Sequence, residues 1–300
     1  MIKRPIKGVA VDDLSQIRLP CIVFPKIDGF RCVLGQQPLT SRLGPFPNAH
    51  FNRELTGLLP AGATLDSEVV VGTKRGKGVL GRTSSGLTSV SGKPDFRLWC
   101  FDSPTAKGTY AERLEQTAVL VAAMEYRRVR LLRGELIEDL NSLEAKLERC
   151  LELEYEGIIT RSLDGHYKEG KSTLREQFML KVKPFEDAEG RVIGWYEEME
   201  NTNEAKREVT GKLKRSSAKI GKVAKGRLGG LILQDCSTGI EVRVGGGFTQ
   251  RQRIELWKIK EQLLGKLVRY SKQKMGEKDK PRHPNFVEFV DFRPEWDFAG

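Results

Sequence analysis

The most chemically suggestive stretch of this 300-residue chain is Lys26-Ile27-Asp28-Gly29-Phe30-Arg31, a lysine followed closely by an acid and an arginine. A neutral lysine amine can attack phosphorus covalently, provided that its pKa falls from an ordinary value of about 10.4. Neighbouring cations lower that pKa because they disfavour a further positive charge. The alternative is an Asp-Gly hairpin turn between two strands, with a surface lysine and arginine beside it.

A second lysine pair, Lys181 and Lys183, lies in an apolar stretch that predicts a strand. Because strand side chains alternate with period two, both lysines would lie on one face. Like charges on one face repel each other unless an anion lies between them, and a polyphosphate is a suitable anion. The alternative is an edge strand that its lysines protect from aggregation.

Carboxylates occur on other predicted strands. Asp66 and Glu68 share one face of a strand, and Glu156 comes immediately before another. Carboxylates beside a lysine cluster can hold ribose hydroxyls or a divalent metal, although each taken singly is an ordinary surface acid. Phe101 ends a further apolar strand, where it could stack on a purine or simply belong to the core.

These residues need a scaffold, which the apolar periodicity predicts as strands mixed with helices. Strands are expected within 20–36, at 64–72, at 96–102, at 157–161 and at 178–183. Helical spacing predicts one helix at 110–126 and a second that begins at Asn141 or Ser142 and ends near Glu154. This pattern over the first part of the chain indicates an α+β or α/β domain.

The composition changes after Pro184. Five short strands are expected, at 189–196, 229–234, 239–245, 266–270 and 286–292, with one helix from Thr249 to about Leu264. Such a set fits a small β-barrel of the OB type. We therefore predict an α+β chain with two domains, residues 1–187 and 188–300.

The charge of the chain is basic and unevenly distributed. Lys and Arg number 51 against 40 Asp and Glu, a net charge of +11, with a pI near 9.4. This balance is typical of proteins that bind a phosphate backbone. Residues 203–228 alone hold nine basic and two acidic residues, a net charge of +7, and too few apolar residues to fold by themselves. We name this segment the basic insert.

Other residue types argue against several classes of protein. The five cysteines form no CxxC and no even set, so buried free thiols in a reducing compartment are expected. Three scattered histidines do not suit a zinc site. No apolar run is long enough to span a membrane, and the first residues lack a signal sequence, so we expect a cytoplasmic protein, in a bacterial cell or a virus-infected host cell.

The order and spacing of these motifs resemble the covalent nucleotidyltransferase superfamily of ATP-dependent DNA ligases, RNA ligases and mRNA capping enzymes. The resemblance covers the chain from about Pro5 to Asp297 and is closest to the minimal two-domain viral DNA ligases. The motifs that carry it are Lys26 to Arg31, Ser41-Arg42, Asp66-Ser67-Glu68, Phe101-Asp102, Glu156-Gly157 and Lys181-Val182-Lys183. Shorter matching phrases are Lys171-Ser172-Thr173-Leu174, Asn201-Thr202-Asn203, Lys214-Arg215-Ser216 and Arg282-His283-Pro284.

The resemblance implies an adenylyltransferase (nucleotidyltransferase) domain followed by a C-terminal OB-fold, using ATP with Mg²⁺ or Mn²⁺. Lys26 would accept AMP, Glu68 would hold the ribose and Phe101 would stack on adenine. Glu156 would serve the metal, and Lys181 and Lys183 would grip the α-phosphate. Arg282 would orient the pyrophosphate as the OB domain closes. The implied nucleotide-binding set is Lys26, Arg31, Glu68, Phe101, Glu156, Lys181, Lys183 and Arg282.

The same resemblance implies that the partner is nicked duplex DNA and that the protein is a monomer acting in DNA repair or replication. Arg42 would contact the 5′-phosphate at the nick, and the basic insert would reach around the duplex as a latch. Its alternative is a disordered surface loop, which is also its expected state without DNA. The implied DNA-contacting residues are Asp28, Arg31, Arg42, Lys206, Arg207, Lys212, Lys214, Arg215 and Lys219.

Two positions depart from the family pattern. Ser67 stands where many relatives have glycine between the two acids, and Phe24 replaces a polar residue expected to read the adenine edge. Two other functions share features of this sequence. An RNA ligase or a capping-type enzyme would use the same lysine chemistry, and a non-catalytic OB-type nucleic-acid binder would share the basic barrel.

Overall fold

The structure of the chain, a computed structural model, describes residues 5–35, 39–41, 44–207, 213–216, 218–273 and 281–294. For residues 40–41, 205–207 and 213–214 it describes the backbone alone. The chain divides into two compact units, Met1–Lys183 and Pro184–Gly300, slightly before the boundary expected from the sequence.

The N-terminal unit is a mixture of short strands and helices. Its helices are α1 (Ala49–Leu55), α2 (Val79–Thr88), α3 (Tyr110–Ala123) and α4 (Leu140–Glu152), with a 3₁₀ turn at Leu14–Gln16. Its strands are β1 (Val9–Ala10), β2 (Cys21–Pro25), β3 (Phe30–Leu34), β4 (Thr40–Ser41), β5 (Gly44–Pro45), β6 (Leu65–Val71), β7 (Phe96–Asp102), β8 (Val129–Leu131), β9 (Glu135–Ile137), β10 (Ile158–Ser162) and β11 (Leu180–Val182).

Two mainly antiparallel sheets organise the N-terminal unit. One has the strand order β1-β11-β10-β2-β9 and the other β5-β4-β3-β6-β7-β8. Each sheet has its own apolar cluster, around Val23, Ile158 and Leu180 in the first and around Leu65 and Leu98 in the second. Strands β2 and β3 therefore lie in different sheets, and the hairpin alternative for the Lys26 motif is wrong.

Capping residues and helical propensity in the sequence predict some of these helices correctly and others not. Thr109 and Glu112 form a capping box at the start of α3, within the predicted helix. The second predicted helix, α4, is capped by Asp139 and not by Asn141 or Ser142, because the Asp139 carboxylate accepts the Ser142 N–H at 2.8 Å. Helix α2 was not predicted, since two glycines and several Ser and Thr residues weaken its helical propensity.

The C-terminal unit contains a five-stranded barrel, a separate two-stranded sheet and one helix. Its strands are β12 (Phe185–Asn201), β13 (Ala205–Arg207), β14 (Leu213–Arg215), β15 (Lys222–Asp235), β16 (Glu241–Val244), β17 (Leu267–Gln273) and β18 (Arg282–Phe289), and α5 is Gln250–Lys258. The sheet order is β16-β15-β12-β17-β18, and a parallel bridge between Gly246 and Asn285 joins its two edge strands. The predicted α+β domain followed by an OB-type barrel is confirmed.

The capping and length of the C-terminal elements agree broadly with the sequence. Thr249 caps α5 with a capping box to Gln252, as predicted, but α5 ends at Lys258 and a 3₁₀ turn, Lys260–Leu263, replaces its last predicted turn. Strands β12 and β15 extend well beyond the predicted runs, to Asn201 and from Lys222.

The basic insert contains regular structure, contrary to its expected disorder. Strands β13 and β14 pair antiparallel, and a 3₁₀ turn at Lys219–Gly221 leads directly into β15. Asn201 and Lys222 pair at the base of the insert, because β12 and β15 continue their ladder past the apolar core of the barrel. A polar segment thus acquires strand structure from the apolar strands that anchor it.

The five cysteines are all free thiols. Four are buried as predicted, but Cys236 is exposed. No helix among the described residues is long and apolar enough to cross a membrane.

Candidate active site

Three strand ends bring the predicted chemical residues of the N-terminal unit together. Pro25 of β2, Ile158 of β10 and Val182 of β11 lie side by side in one row of the five-stranded sheet. Lys26 and Lys183 follow the first and third of these residues, while Glu156 lies two residues before the second. The Lys26 N–H donates to the Gly157 carbonyl at 2.8 Å, and the Glu156 N–H donates to the Lys26 carbonyl at 3.1 Å.

The Glu156 carboxylate lies between two lysines. One oxygen accepts a hydrogen bond from the Lys26 ammonium group, and the other accepts one from Lys183. Burial alone would raise the pKa of Glu156, but the charges of Lys26 and Lys183 outweigh it and hold that pKa below its ordinary value. Glu156 is therefore a carboxylate in the folded protein, shared by two cations.

Lys181 completes a group of lysines that one carboxylate cannot neutralise. It lies on the same strand face as Lys183, as predicted, and it forms no ion pair with any residue that the structure describes. Burial lowers the pKa of Lys181, and the charges of Lys183, Lys26 and Lys7 lower it further. Burial and the charge of Lys26 lower the pKa of Lys183 as well, although Glu156 opposes them. The cluster favours an additional anion.

Two glycines allow the backbone to form this cluster. Gly157 has a φ of +146°, and a Cβ there would lie 2.1 Å from the Val182 carbonyl oxygen. A Cβ at Gly29 would lie 2.4 Å from the carbonyl oxygen of Val69 on β6. Between Lys26 and Gly29 the chain leaves the first sheet and enters the second, so that the motif joins the two.

The second sheet contributes Glu68, Arg31 and Asp66. Arg31 of β3 pairs in register with Glu68 of β6, and its guanidinium donates two hydrogen bonds to the Asp66 carboxylate. The Tyr167 hydroxyl donates to the same carboxylate at 2.7 Å. Asp66 is fully buried and is thus occupied in holding Arg31 and Tyr167.

The Glu68 carboxyl is affected by its burial and by the charges around it. Burial raises the pKa of its carboxyl to about 7, against the opposing charges of Lys26 and Arg31. The nearby charges of Glu156 and Asp66 add to the increase. The charge of Lys26 acts to lower the pKa of both Glu68 and Glu156. The two carboxylates therefore border the same lysine from the two sheets.

Phe101 lies at the end of β7 and is mostly buried, with 8 % of its surface exposed. The Arg31 guanidinium lies over its ring, 4.8 Å from the centroid, and the Tyr110 hydroxyl donates to its carbonyl at 2.8 Å. Phe24 is also buried and packs edge-on against Tyr110, so its side chain belongs to the core.

A buried ion cluster that sequence reasoning missed supports Phe101. The carboxylate of Asp102 accepts hydrogen bonds from Arg113 at 2.9 Å and from Arg161 at 2.6 Å, and all three side chains are almost fully buried. Burial would raise the pKa of Asp102, but Arg161 and Arg113 lower it overall. One signal was present in the sequence, since Arg113 lies on the inward face of α3 with Tyr110 and Thr117.

The other predicted site residues are described only in part or belong to other elements. Arg42 and Lys212 lie outside the described residues, and only the backbone of Lys206, Arg207 and Lys214 is described. Arg215 and Lys219 are exposed in the basic insert. Arg282 begins β18 in the C-terminal unit, and Asp28 is partly buried within the Lys26 motif.

The arrangement is suited to chemistry at a phosphate. It combines an amine, further cations that favour an anion, and two carboxylates, Glu68 and Glu156, that can accept hydrogen bonds or hold a cation. Among the described residues no three His, Cys, Asp or Glu side chains form a complete metal cage. Mg²⁺ commonly takes one or two carboxylates and completes its shell with water and substrate phosphates, which matches this donor set.

Comparison with known proteins finds a similarity to DNA ligases. Residues 220–289 match the family model of the DNA ligase OB-like domain. No curated protein sequence matches the chain.

Among solved structures, two of the Chlorella virus DNA ligase-adenylate are 26 % and 27 % identical, each with a TM-score of 0.53. They cover 96 % and 98 % of this chain and 100 % of the viral one. A Lig E DNA ligase is 22 % identical, with a TM-score of 0.71, covering 94 % of this chain and 99 % of its own; at this identity it supports the fold alone. The resemblance to minimal DNA ligases that the sequence predicts is confirmed.

Proposed function

We propose that this chain, which has the fold of the DNA ligases, is an ATP-dependent DNA ligase that seals nicks in duplex DNA through a covalent lysyl-AMP intermediate on Lys26. The observation that carries the proposal is the position of Lys26. It lies where two sheets join, paired with Glu156 and next to Lys183, in a cluster with more lysines than carboxylates. Nucleotidyl transfer needs such a concentration of positive charge around phosphate oxygens.

In the first step the Lys26 amine attacks the α-phosphorus of ATP. A P–N bond forms, the P–O bond to the β-phosphate breaks, and pyrophosphate leaves. Lys181 and Lys183 neutralise the α-phosphate oxygens, because both border Lys26 and, among the described residues, the three lysines have only the Glu156 carboxylate, which Lys26 and Lys183 share. We assign Glu68 to the ribose, because its carboxylate can accept hydrogen bonds that the ribose hydroxyls donate. We assign Phe101 to stacking on the adenine.

In the second step the 5′-phosphate at a nick attacks the lysyl-AMP and releases Lys26. In the third, the 3′-hydroxyl attacks the activated 5′-phosphate, the strand is joined and AMP leaves. The protein acts mainly by positioning the reactants and offsetting charge, for which lysines, arginines and a divalent cation suffice.

Glu156, with Glu68 beside it, fits a divalent metal. The negative charge of Glu156 contributes to the raised pKa of Glu68, since each carboxylate makes the other harder to ionise. A divalent cation between them would remove that repulsion. Mg²⁺ or Mn²⁺ bound there would supply charge neutralisation at the phosphates.

The basic insert supports duplex DNA as the acceptor. Its exposed Arg215 and Lys219 can contact the DNA backbone, as can Lys206, Arg207, Lys212 and Lys214 from the same segment. We assign Asp28, Arg31 and Arg42 to the nick itself and Arg282 to the pyrophosphate. We propose that the protein acts as a monomer in the cytoplasm.

Labelling tests the proposed intermediate. Incubation with Mg²⁺ and ATP labelled at the α-phosphate should label the wild-type chain and not the Lys26→Ala variant. Lys146→Ala, which removes a lysine paired with Glu135 on the surface, should label normally. Equal labelling of the Lys26 variant would exclude this lysine as the acceptor.

Substrate comparison tests the acceptor. Sealing should be faster on nicked DNA than on nicked RNA, and ATP should be used in preference to GTP. The reverse preference would favour an RNA ligase or a capping-type enzyme. Absence of any labelling would favour a non-catalytic nucleic-acid binder.

The first part of the basic insert, residues 203–220, can be removed without cutting its stem. Asn201 and Lys222 are register partners, so replacing residues 203–220 by a Gly-Gly turn leaves the β12–β15 ladder intact. This variant should bind nicked duplex more weakly, with a shallower dependence on salt, because fewer counterions are released. Unchanged affinity would mean that the insert does not hold DNA.

A further inference from the structure

Tyr167 joins the two sheets of the N-terminal unit but takes no part in the three transfer steps. It belongs to the connection between β10 and β11 and is half-buried. Its hydroxyl donates to the Asp66 carboxylate of β6 at 2.7 Å and accepts the N–H of Ile6, shortly before β1, at 3.4 Å. Tyr167 thus links a strand of the second sheet to two segments that belong to the first.

The Asp66 carboxylate that accepts this hydrogen bond is fully buried and serves two donors. The Arg31 guanidinium donates to both carboxylate oxygens, from Nε and from Nη2. The Tyr167 hydroxyl donates to the same oxygen as Arg31 Nη2. A buried charge is stable only where its hydrogen bonds are satisfied. Loss of the Tyr167 hydroxyl would leave that oxygen with one donor fewer and would loosen the hold on Arg31.

The aromatic ring of Tyr167 contacts the second buried ion cluster. The Arg113 guanidinium lies 5.8 Å from the ring centroid, and Arg113 pairs with Asp102 at 2.9 Å. A cation over an aromatic ring is attracted by it, so Arg113 helps to fix the ring. Burial and the charge of Asp66 raise the pKa of Tyr167, so that its hydroxyl keeps its proton and remains a hydrogen-bond donor.

Arg31, at the other end of this chain of contacts, borders both residues assigned to the nucleoside. It is the register partner of Glu68 across β3 and β6, and its guanidinium lies 4.8 Å from the centroid of the Phe101 ring. Asp66 holds two of its three nitrogens, whereas Nη1 has no hydrogen-bond partner among the residues that the structure describes. Arg31 can therefore offer Nη1 to a ligand between Glu68 and Phe101.

We propose that Tyr167 is a positioning residue for the nucleotide, acting through Asp66 on Arg31. The Arg31 guanidinium is thereby kept against the Phe101 ring, where its Nη1 donates to the bound nucleotide. An arginine that is already held in place loses little freedom when the ligand binds, which strengthens binding. The inference rests on the proposed function, since it takes ATP as the ligand of this site.

The experiment measures binding of α,β-methylene-ATP, which cannot transfer AMP, to the full chain. Tyr167→Phe removes only the hydroxyl and should raise the Kd by about 10-fold, as expected for the loss of a hydrogen bond to a charged group. The labelling rate at saturating ATP should stay near that of the wild type, because the groups around Lys26 are unchanged. Tyr126→Phe is the matched control and should keep the wild-type Kd, because the Tyr126 hydroxyl donates to Glu54 on α1, at 2.6 Å.

A double-mutant cycle tests whether the effect passes through Arg31. Arg31→Lys keeps the charge but cannot make the bidentate contact with Asp66. Adding Tyr167→Phe to Arg31→Lys should weaken binding no further, since the link is already broken. Effects of the two substitutions that multiply would overturn the inference, as would a wild-type Kd in Tyr167→Phe. A lower folded fraction would reduce the number of binding sites without changing the Kd, so lost stability cannot imitate the expected result.

The positioning role and the ligase function fail in different ways. If the chain takes no label from ATP but Tyr167→Phe weakens binding of the analogue as expected, the ligase function is lost and the positioning role stands. If the chain labels normally and Tyr167→Phe binds the analogue as tightly as the wild type, the reverse holds. A wild-type chain that does not bind the analogue at all would exclude both.

Discussion

The Glu156 carboxylate accepts a hydrogen bond from the Lys26 ammonium group, so the proposed nucleophile is held as half of an ion pair. An ammonium group has no lone pair and cannot attack phosphorus. Catalysis therefore requires that Lys26 lose its proton while Glu156 keeps a cationic partner. Lys183, on the other oxygen of Glu156, is one such partner.

Replacing Glu156 by Gln should leave Lys26 and Lys183 without their shared carboxylate. The loss of a largely buried charge partner should lower the free energy of unfolding by about 3 kcal/mol. AMP transfer to Lys26 should slow by about 100-fold, because the carboxylate no longer positions the amine. Glu154→Gln changes an exposed acid two residues away and should keep the wild-type rate. Single-turnover labelling measures both variants, and similar rates would remove Glu156 from the site.

The Lys181→Ala variant should be inactive in AMP transfer yet as stable as wild type, or slightly more stable. Lys181 is repelled by Lys183, Lys26 and Lys7 and forms no ion pair with a described residue. Its removal relieves repulsion in the free protein and loses a phosphate contact only when ATP is bound. Thermal unfolding with and without ATP tests this, and a clear loss of stability without ATP would indicate a structural lysine.

Glu68 should make the stability of the protein depend on pH. Because burial raises its pKa from 4.5 to about 7, the unfolded chain ionises Glu68 first as pH rises. The free energy of unfolding therefore falls between pH 4.5 and 7, by on the order of 1–3 kcal/mol, and this loss is complete above pH 7.

A neutral replacement removes that dependence. Glu68→Gln should raise the melting temperature relative to wild type at pH 8, and the difference should shrink at pH 5. Glu115→Gln, at an exposed position on α3, should show the same difference from wild type at both pH values. A constant gain for Glu68→Gln across this range would contradict the proposed linkage.

Two aspartates, each paired with two arginines, should differ greatly in their contribution to stability. Asp102 is fully buried with Arg113 and Arg161, so Asp102→Asn leaves buried arginine charge uncompensated and should cost about 3–5 kcal/mol. Asp95, 60 % exposed, pairs with Arg97 and Arg128, and Asp95→Asn should cost less than about 1 kcal/mol. Denaturant unfolding compares them, and equal losses would contradict the argument from burial.

The strands that carry the site could be predicted from the sequence because their signals are local. Apolar runs mark β6, β7, β10 and β11 to within a few residues, and period-two alternation places Lys181 and Lys183 on one face. The lysine motif, the carboxylates and Phe101 were therefore found before any contact between them was known.

Pairings between distant segments could not be predicted in the same way. No local signal indicates that β2 pairs with β10 and β9 instead of β3, or that Tyr167 donates to Asp66. The Asp102 cluster joins β7, α3 and β10, and only the inward position of Arg113 on its helix suggests it. Strands of two or three residues, such as β1 and β9, are too short for a periodic pattern.

The row formed by Pro25, Ile158 and Val182 determines which changes of length the chain can tolerate over evolution. Residues 163–179 join β10 to β11, and insertions or deletions within such a connection leave the strand register unchanged. One residue added inside β2, β10 or β11 would shift that strand against its neighbours and separate Lys26, Glu156 or Lys183 from the other two. Homologues should therefore vary in the length of their connections and stay constant in the length of these three strands.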